Sequence, residues 1–270
     1  MQTQDYKNIC EQVREVSLRA GNYIQEQASR FGQDDVEQKG RHNYVTYVDK
    51  SAEELIVKAL AEILPDAGFI TEEETAGHTQ QKYKWVIDPL DGTTNFIHKV
   101  PVYCVSIALL EDDEVVVGVV YEINLNECFY AWKGGKAMLN DKEIRVSENV
   151  DFDTALLATG FPYLDYGKID AYLQVFRHFM KHTAGLRRLG SAAADLAYVA
   201  CGRFVGFYEY GLHAWDVAAG AFIVEMAGGK VTDFKGERNF LFGKEMIAGN
   251  QYAQARMLTV INDIFVNNRK

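Results

Sequence analysis

Residues 85–96, WVIDPLDGTTNF, make an apolar extended segment end abruptly in an acidic turn. Trp85 to Asp88 read as a strand. Pro89 disfavours a helical conformation at Asp88 and carries no N–H, so the chain turns there with Asp88 and Asp91 close together. Gly92 lets backbone approach a ligand closely. The amides after it would open a helix, where unpaired N–H groups and the helix dipole favour an anion such as phosphate. Two carboxylates beside anion-binding amides point to a metal bridging protein and phosphate. A bare DxxD usually marks only a solvated turn, so the segment has to be weighed with the rest of the chain.

The rest supplies a layered pattern. From Tyr6 to about Arg30, the residues Ile9, Val13, Val16, Ala20 and Ile24 recur at helical spacing, and the helix is expected to end at Gly32. A second helix is expected after Asp49, with Asp49 and Ser51 as capping oxygens, Leu55, Ile56, Ala59, Leu60 and Ile63 facing inward, and a stop before Pro65. Strands are expected at 68–70, 85–88, 102–110, 115–121 and 128–132, with turns at 111–114 and 124–126. Helical patterns follow at 169–182, 191–201, 217–226 and 251–266, with a strand-like piece at 204–208. This is an α/β or α+β arrangement, either one unit over 1–270 or two packed lobes, about 1–150 and 151–270. No strand order follows from the pattern.

Charge and composition narrow the function. A formal net charge of −10 argues against a general nucleic-acid surface or an anionic-membrane surface, both of which need basic stripes. The first residues, MQTQDYKNICEQVREV, lack the basic start and apolar run of an export signal. The most apolar run, Val100 to Leu110, is about half the roughly 20 residues that span a bilayer. Cys10, Cys104, Cys128 and Cys201 are far apart, with no CxxC, and read as reduced thiols in a cytoplasmic protein.

A second segment, Trp215-Asp216-Val217-Ala218-Ala219-Gly220, lies far downstream of the first. Together the two resemble the signatures of the inositol monophosphatase family, and two ordered matches are far more specific than one. The resemblance runs from Tyr6 to Val266 and takes in Val45 to Asp49 and Phe69 to Glu73. It implies an αβαβα sandwich, a homodimer, and a lithium-sensitive hydrolase with two or three Mg²⁺ ions in an acidic pocket. By the same resemblance, Glu72, Asp88 and the Leu90 carbonyl would hold the first metal. Asp88, Asp91 and Asp216 would hold the second, and a third, weaker metal would sit near Glu72. Asp49 would accept from the Thr93 hydroxyl, and that pair, with Glu72, would serve catalysis by orienting the attacking water. The Gly92 and Thr93 amides would bind phosphate oxygens, and Asp91, Ala193 and Glu209 would contact hydroxyls of the alcohol. Thr71 departs from the pattern, standing where the family commonly has Gly.

Metal would have to precede substrate in such a pocket. Each of the four carboxylates would repel a phosphate charge about 5 Å away by roughly 3 kcal/mol at an effective dielectric of 20. Two Mg²⁺ ions would cancel the four charges with an all-oxygen ligand set. Other signals carry less. Glu74 reads as a solvated loop residue, and His178 and His182 as a hydrated helix face without the Glu of HExxH. Gly134-Gly135-Lys136 and Gly228-Gly229-Lys230 lack phosphate-loop spacing and read as turns. Lys39 to Asn43 form a polar loop, surface or lid, and Arg187 and Arg188 suit either substrate or dimer contact.

The expected reaction is hydrolysis of myo-inositol 1-phosphate, a small phosphorylated polyol, because a carboxylate at Glu209 suits a neutral ring and repels a second phosphate. Fructose 1,6-bisphosphate, adenosine 3′,5′-bisphosphate and histidinol phosphate are the alternatives within the same fold. A transcription or RNA-processing partner that retains the site is the alternative of a different class.

Overall fold

Apolar residues at every third or fourth position make helix α1 (Thr3–Ala28), which buries Ile9, Val13, Val16, Ala20 and Ile24. It stops short of the expected Arg30. The computed structural model describes residues 3–30, 32, 36–40, 43–73, 81–162 and 166–265. The Lys39 side chain, Arg41, His42, Glu74 and Val266 lie outside the described residues. Where a polar loop was expected around Lys39 to Asn43, β1 (Val36–Gly40) and β2 (Asn43–Thr46) pair antiparallel.

Helix α2 (Tyr47–Ile63) begins before Asp49, not after it. Thr46 is the cap: its hydroxyl oxygen accepts the N–H groups of Val48 at 3.1 Å and Asp49 at 3.4 Å, while Asp49 reaches back to the Thr46 N–H at 2.8 Å. This reciprocal capping box satisfies donors at both ends, so Asp49 becomes the third helical residue and Ser51 does not cap.

The first sheet has the order β3 (Gly68–Thr71), β4 (Tyr83–Asp91), β5 (Cys104–Glu111), β6 (Glu114–Glu122), β7 (Glu127–Trp132), β8 (Met138–Leu139), β9 (Lys142–Glu143). Only β3–β4 is parallel. Asp112 and Asp113, with φ of 49° and 68°, form the two-residue loop between β5 and β6, a conformation matched to the strand twist. In β4, Asp88 faces Ser106 and Asp91 faces Cys104, so one extra residue is inserted between the two aspartates. Pro89 sits in that bulge, where its missing N–H removes no ladder bond.

The second sheet has the order β11 (Gly185–Arg187), β10 (Leu156–Thr159), β12 (Gly206–Tyr210), β14 (Glu245–Gly249), β13 (Lys230–Thr232). Helices α1 and α2 cover the outer face of the first sheet. Helices α5 (Ala192–Ala200) and α6 (Ala214–Met226) lie between the sheets, and α4 (Ile169–His182) and α7 (Gln251–Phe265) cover the outer face of the second. The result is the expected αβαβα sandwich. Among the described residues no helix is long and apolar enough to cross a membrane, and all four cysteines are free. Gly228-Gly229 closes α6: Gly228 has φ +87°, and the Gly229 N–H returns to the Val224 carbonyl at 2.9 Å.

The middle layer has water on neither side, which explains why α5 is buried at all nine positions and α6 from Val217 to Val224 without interruption. Small residues let the first sheet approach the middle layer, and let the two helices of that layer approach each other. A Cβ on Gly118 of β6 would lie 2.9 Å from the Ala219 carbonyl oxygen, and one on Gly220 would lie 2.6 Å from the Leu196 Cβ. Gly118→Ala is therefore expected to lower stability by about 1–3 kcal/mol through overpacking. Thermal unfolding checks this, and an unchanged Tm would contradict the close contact.

Candidate active site

The bulge in β4 presents Asp88 and Asp91 one after the other at the end of a buried strand. Gly92, with φ +99°, then turns the chain into the short helix α3 (Thr93–Ile97), and a Cβ there would lie 3.0 Å from the Val102 carbonyl oxygen. Asp216 comes from the first turn of α6. The carboxylates of Asp88, Asp91 and Asp216 each bring an oxygen within 4.8 Å of the other two. Glu72 follows β3 directly, and since Thr71 pairs with Ile87, it stands beside Asp88 at the same sheet end.

Each carboxylate of the cluster is anchored through one oxygen. Asp88 Oδ1 accepts the Leu90 N–H at 3.0 Å, and Asp216 Oδ2 accepts the His213 N–H at 2.7 Å. Asp91 Oδ2 accepts the Ser191 hydroxyl at 2.7 Å and the Ala193 N–H at 2.6 Å. Among the described residues, no hydrogen bond takes the second oxygen of any of the three. Behind them, Thr93 Oγ1 lies 2.9 Å from Asp49 Oδ1 and 3.1 Å from the Leu90 carbonyl oxygen. The other oxygen of Asp49 is held by Thr46, so Thr93 meets a fixed acceptor.

Burial and crowding make this cluster a poor home for negative charge alone. Burial, then Glu72, Asp91 and Asp216, push Asp88 well above the usual carboxylate range. Burial, then Asp91, do the same to Asp216. Asp91 is pushed up to about 6 by burial, against the opposing pull of Ser191, Ala193 and Arg188. Burial also raises Asp49, although Thr46 and Thr93 donate to it.

A cavity of about 870 Å³ opens over the cluster, with Glu72, Asp91, Gly92, Thr93, Glu209 and Asp216 in its wall. Asp49, Asp88 and Leu90 lie behind that wall, at most 2% exposed. Ala193 is fully buried and commits its N–H to Asp91, whereas the neighbouring Ala192 lines the cavity in its place. Gly160 gives Glu209 its position, since a Cβ there would fall 2.0 Å from the Glu209 carboxyl. Arg188 also lines the cavity. Asp195 was not anticipated, and Ser191, although in a stretch that resembles the family's substrate-side helix start, was not expected to hold Asp91. Ser191 could have been found as the cap of α5, whose hydroxyl oxygen accepts the Ala194 N–H at 3.2 Å while its proton goes to Asp91. His178 and His182 sit on α4 with ring centroids 4.6 Å apart and the rings tilted by 44°, and neither is in the cavity wall.

The sequence profile of the inositol monophosphatase family matches residues 5–265. A putative Nus factor SuhB of Neisseria meningitidis serogroup B is 41% identical over 245 residues, covering 90% of this chain and 94% of that protein. An inositol-1-monophosphatase of Mesorhizobium japonicum is 38% identical over 248 residues, covering 92% of this chain and 93% of that protein. The crystal structure of the extragenic suppressor protein suhB from Bartonella henselae superposes with a TM-score of 0.89 at 36% identity, covering 94% of this chain and 98% of that one.

The buried acids give stability a definite pH dependence. Burial pushes Glu209 up to about 8, so the folded chain holds its proton more tightly than the unfolded chain does. That contribution is complete below the ordinary Glu value and is lost as pH rises through about 8. In chelator, thermal stability of Glu209→Gln is expected to fall less steeply between pH 5 and 8 than that of the parent. Parallel Tm profiles would contradict the shift.

Proposed function

The chain belongs to the inositol monophosphatase family, and from that premise we propose that it is a Mg²⁺-dependent phosphomonoesterase hydrolysing myo-inositol 1-phosphate to inositol and phosphate. The observation that carries the reading is the cluster of three carboxylates, Asp88 buried and Asp91 and Asp216 part-exposed, each anchored by one oxygen only, beside a cavity whose wall includes the Gly92 turn. An all-oxygen donor set of this charge fits Mg²⁺ rather than a softer metal. Glu72, Asp88 and the Leu90 carbonyl would hold one ion, and Asp88, Asp91 and Asp216 a second, with a third, weaker one near Glu72. When bound, Mg²⁺ supplies charge neutralisation and a water of lowered pKa.

The chain's own groups do the positioning. Asp49, fixed by Thr46, accepts a hydrogen bond from the Thr93 hydroxyl and leaves a lone pair of the Thr93 oxygen to accept from the attacking water. The Gly92 and Thr93 amides receive phosphate oxygens. Asp91 and Glu209 accept hydroxyls of the alcohol, with the wall at Ala192 instead of Ala193 completing the pocket. Glu209 and Arg188 are the wall groups that a second phosphate would meet, so substrate choice is measured against fructose 1,6-bisphosphate, adenosine 3′,5′-bisphosphate and histidinol phosphate. The same reading carries a homodimer and inhibition by lithium.

A second reading has its own support: the relative named putative Nus factor SuhB is 41% identical, against 38% for the one named inositol-1-monophosphatase. On that reading the chain is a partner in a transcription complex. With a net charge of −10, its contacts would be made with protein rather than directly with nucleic acid. Co-purification of RNA polymerase with the parent and with Asp91→Asn, set beside phosphate release across the substrate panel, separates the two roles.

Asp91→Asn is expected to lower Mg²⁺-dependent phosphate release at least 10³-fold with cooperative unfolding retained, since it loses a metal charge and a substrate contact together. Thr93→Ala is expected to lower kcat about 10²-fold by leaving the water unoriented. Near-normal turnover by a folded Asp91→Asn chain, or full activity in excess chelator, would sink the proposed site.

A further inference from the structure

The cavity wall holds one buried acid that the proposed reaction does not use. Asp195, in the first turn of α5, is 1% exposed and lines the cavity. Its Oδ1 is sealed from solvent without a hydrogen-bond partner, and among the described residues no donor reaches its carboxyl. Burying a carboxyl without a donor is unfavourable, and folded proteins nearly always supply one. The position of Asp195 near the helix start compensates only in part.

Its surroundings define what could complete it. Glu209, on the neighbouring strand β12, is the charge that weighs most on Asp195, followed by Asp91, with Arg188 opposing. Asp195 and Glu209 thus approach the same volume from a helix and a strand that pack together. A phosphate would meet two acids there. Among the described residues, the carboxylates found close enough to share a metal ion are Asp88, Asp91 and Asp216, and Asp195 is outside that group. An ammonium group would have the Arg188 cation in the same wall against it. A hydroxyl meets every condition, because it donates to a carboxylate and accepts from a protonated carboxyl.

We infer that Asp195 is a substrate-specificity residue that binds a second ring hydroxyl of the alcohol, next to the hydroxyl held by Glu209. The inference rests on the polyol phosphatase reading and deepens it. It makes the favoured substrate class a cyclic polyol with neighbouring hydroxyls, not a phosphate ester whose alcohol has a single oxygen.

The test compares kcat/KM for myo-inositol 1-phosphate with kcat/KM for 4-nitrophenyl phosphate, in Mg²⁺, for the parent, Asp195→Ala and Asp195→Asn, together with metal-free thermal unfolding of each. The ratio of the two constants is expected to fall tenfold or more in Asp195→Ala, as loss of a hydrogen bond to a carboxyl predicts. It should fall less in Asp195→Asn, which keeps one acceptor and gains donors. The Tm of both variants should equal or exceed the parent's, because an unpartnered buried acid has been removed. A ratio that stays within twofold, or equal loss on both substrates with a lowered Tm, would assign Asp195 to the fold and overturn the inference. Parent protein that hydrolyses the aryl ester but not the inositol ester would refute the polyol reading itself, and this inference with it.

Discussion

Three carboxylates that repel one another are held together in a buried pocket, and much of the local architecture exists to keep them there. Left to itself the cluster would spread or take up protons, as the raised positions of Asp88, Asp91 and Asp216 show. The fold offsets this with short local bonds. The Leu90 N–H holds Asp88 inside the bulge, the His213 N–H holds Asp216 at the start of α6, and Ser191 and Ala193 hold Asp91 from across the middle layer. Each bond fixes one oxygen and leaves the other uncommitted, the arrangement a hard divalent cation requires.

The sandwich makes that arrangement rigid. Asp91 ends a strand of the first sheet, whereas Ser191, Ala193 and Asp216 belong to the central helices, so the cluster spans the joint between two layers. The joint is close-packed through Gly118, where even one added carbon would press on the Ala219 backbone of α6.

Much of this was legible in the sequence, for identifiable reasons. Helix α4 spans Ile169 to His182 as read, because one face is core and the other is water, and the acidic turn was readable because Pro89 restricts the backbone and Gly92 frees it. Strands β10, β11, β13 and β14 were not seen, since segments of three to five residues in a buried sheet show no alternation. The start of α2 was misplaced because Asp49 carries capping chemistry at the wrong end of a reciprocal pair whose other member, Thr46, decides the boundary. Ala193 was named where Ala192 faces the cavity, because in a helix buried on all sides composition does not distinguish neighbours. Asp195 was invisible for a related reason: one acid in an alanine-rich helix signals nothing until the fold sets it beside Glu209.

The account stands or falls on whether the acidic cluster exists to receive divalent cations. Calorimetric titration of Mg²⁺ into the metal-free protein near pH 6.5, repeated in buffers of different ionisation enthalpy, measures binding and proton release together. Carboxyls raised by burial and mutual repulsion must lose protons as the ions enter, so the account predicts saturable binding with net proton release that diminishes in Asp91→Asn. Absence of binding, or binding with no proton release at that pH, would contradict it.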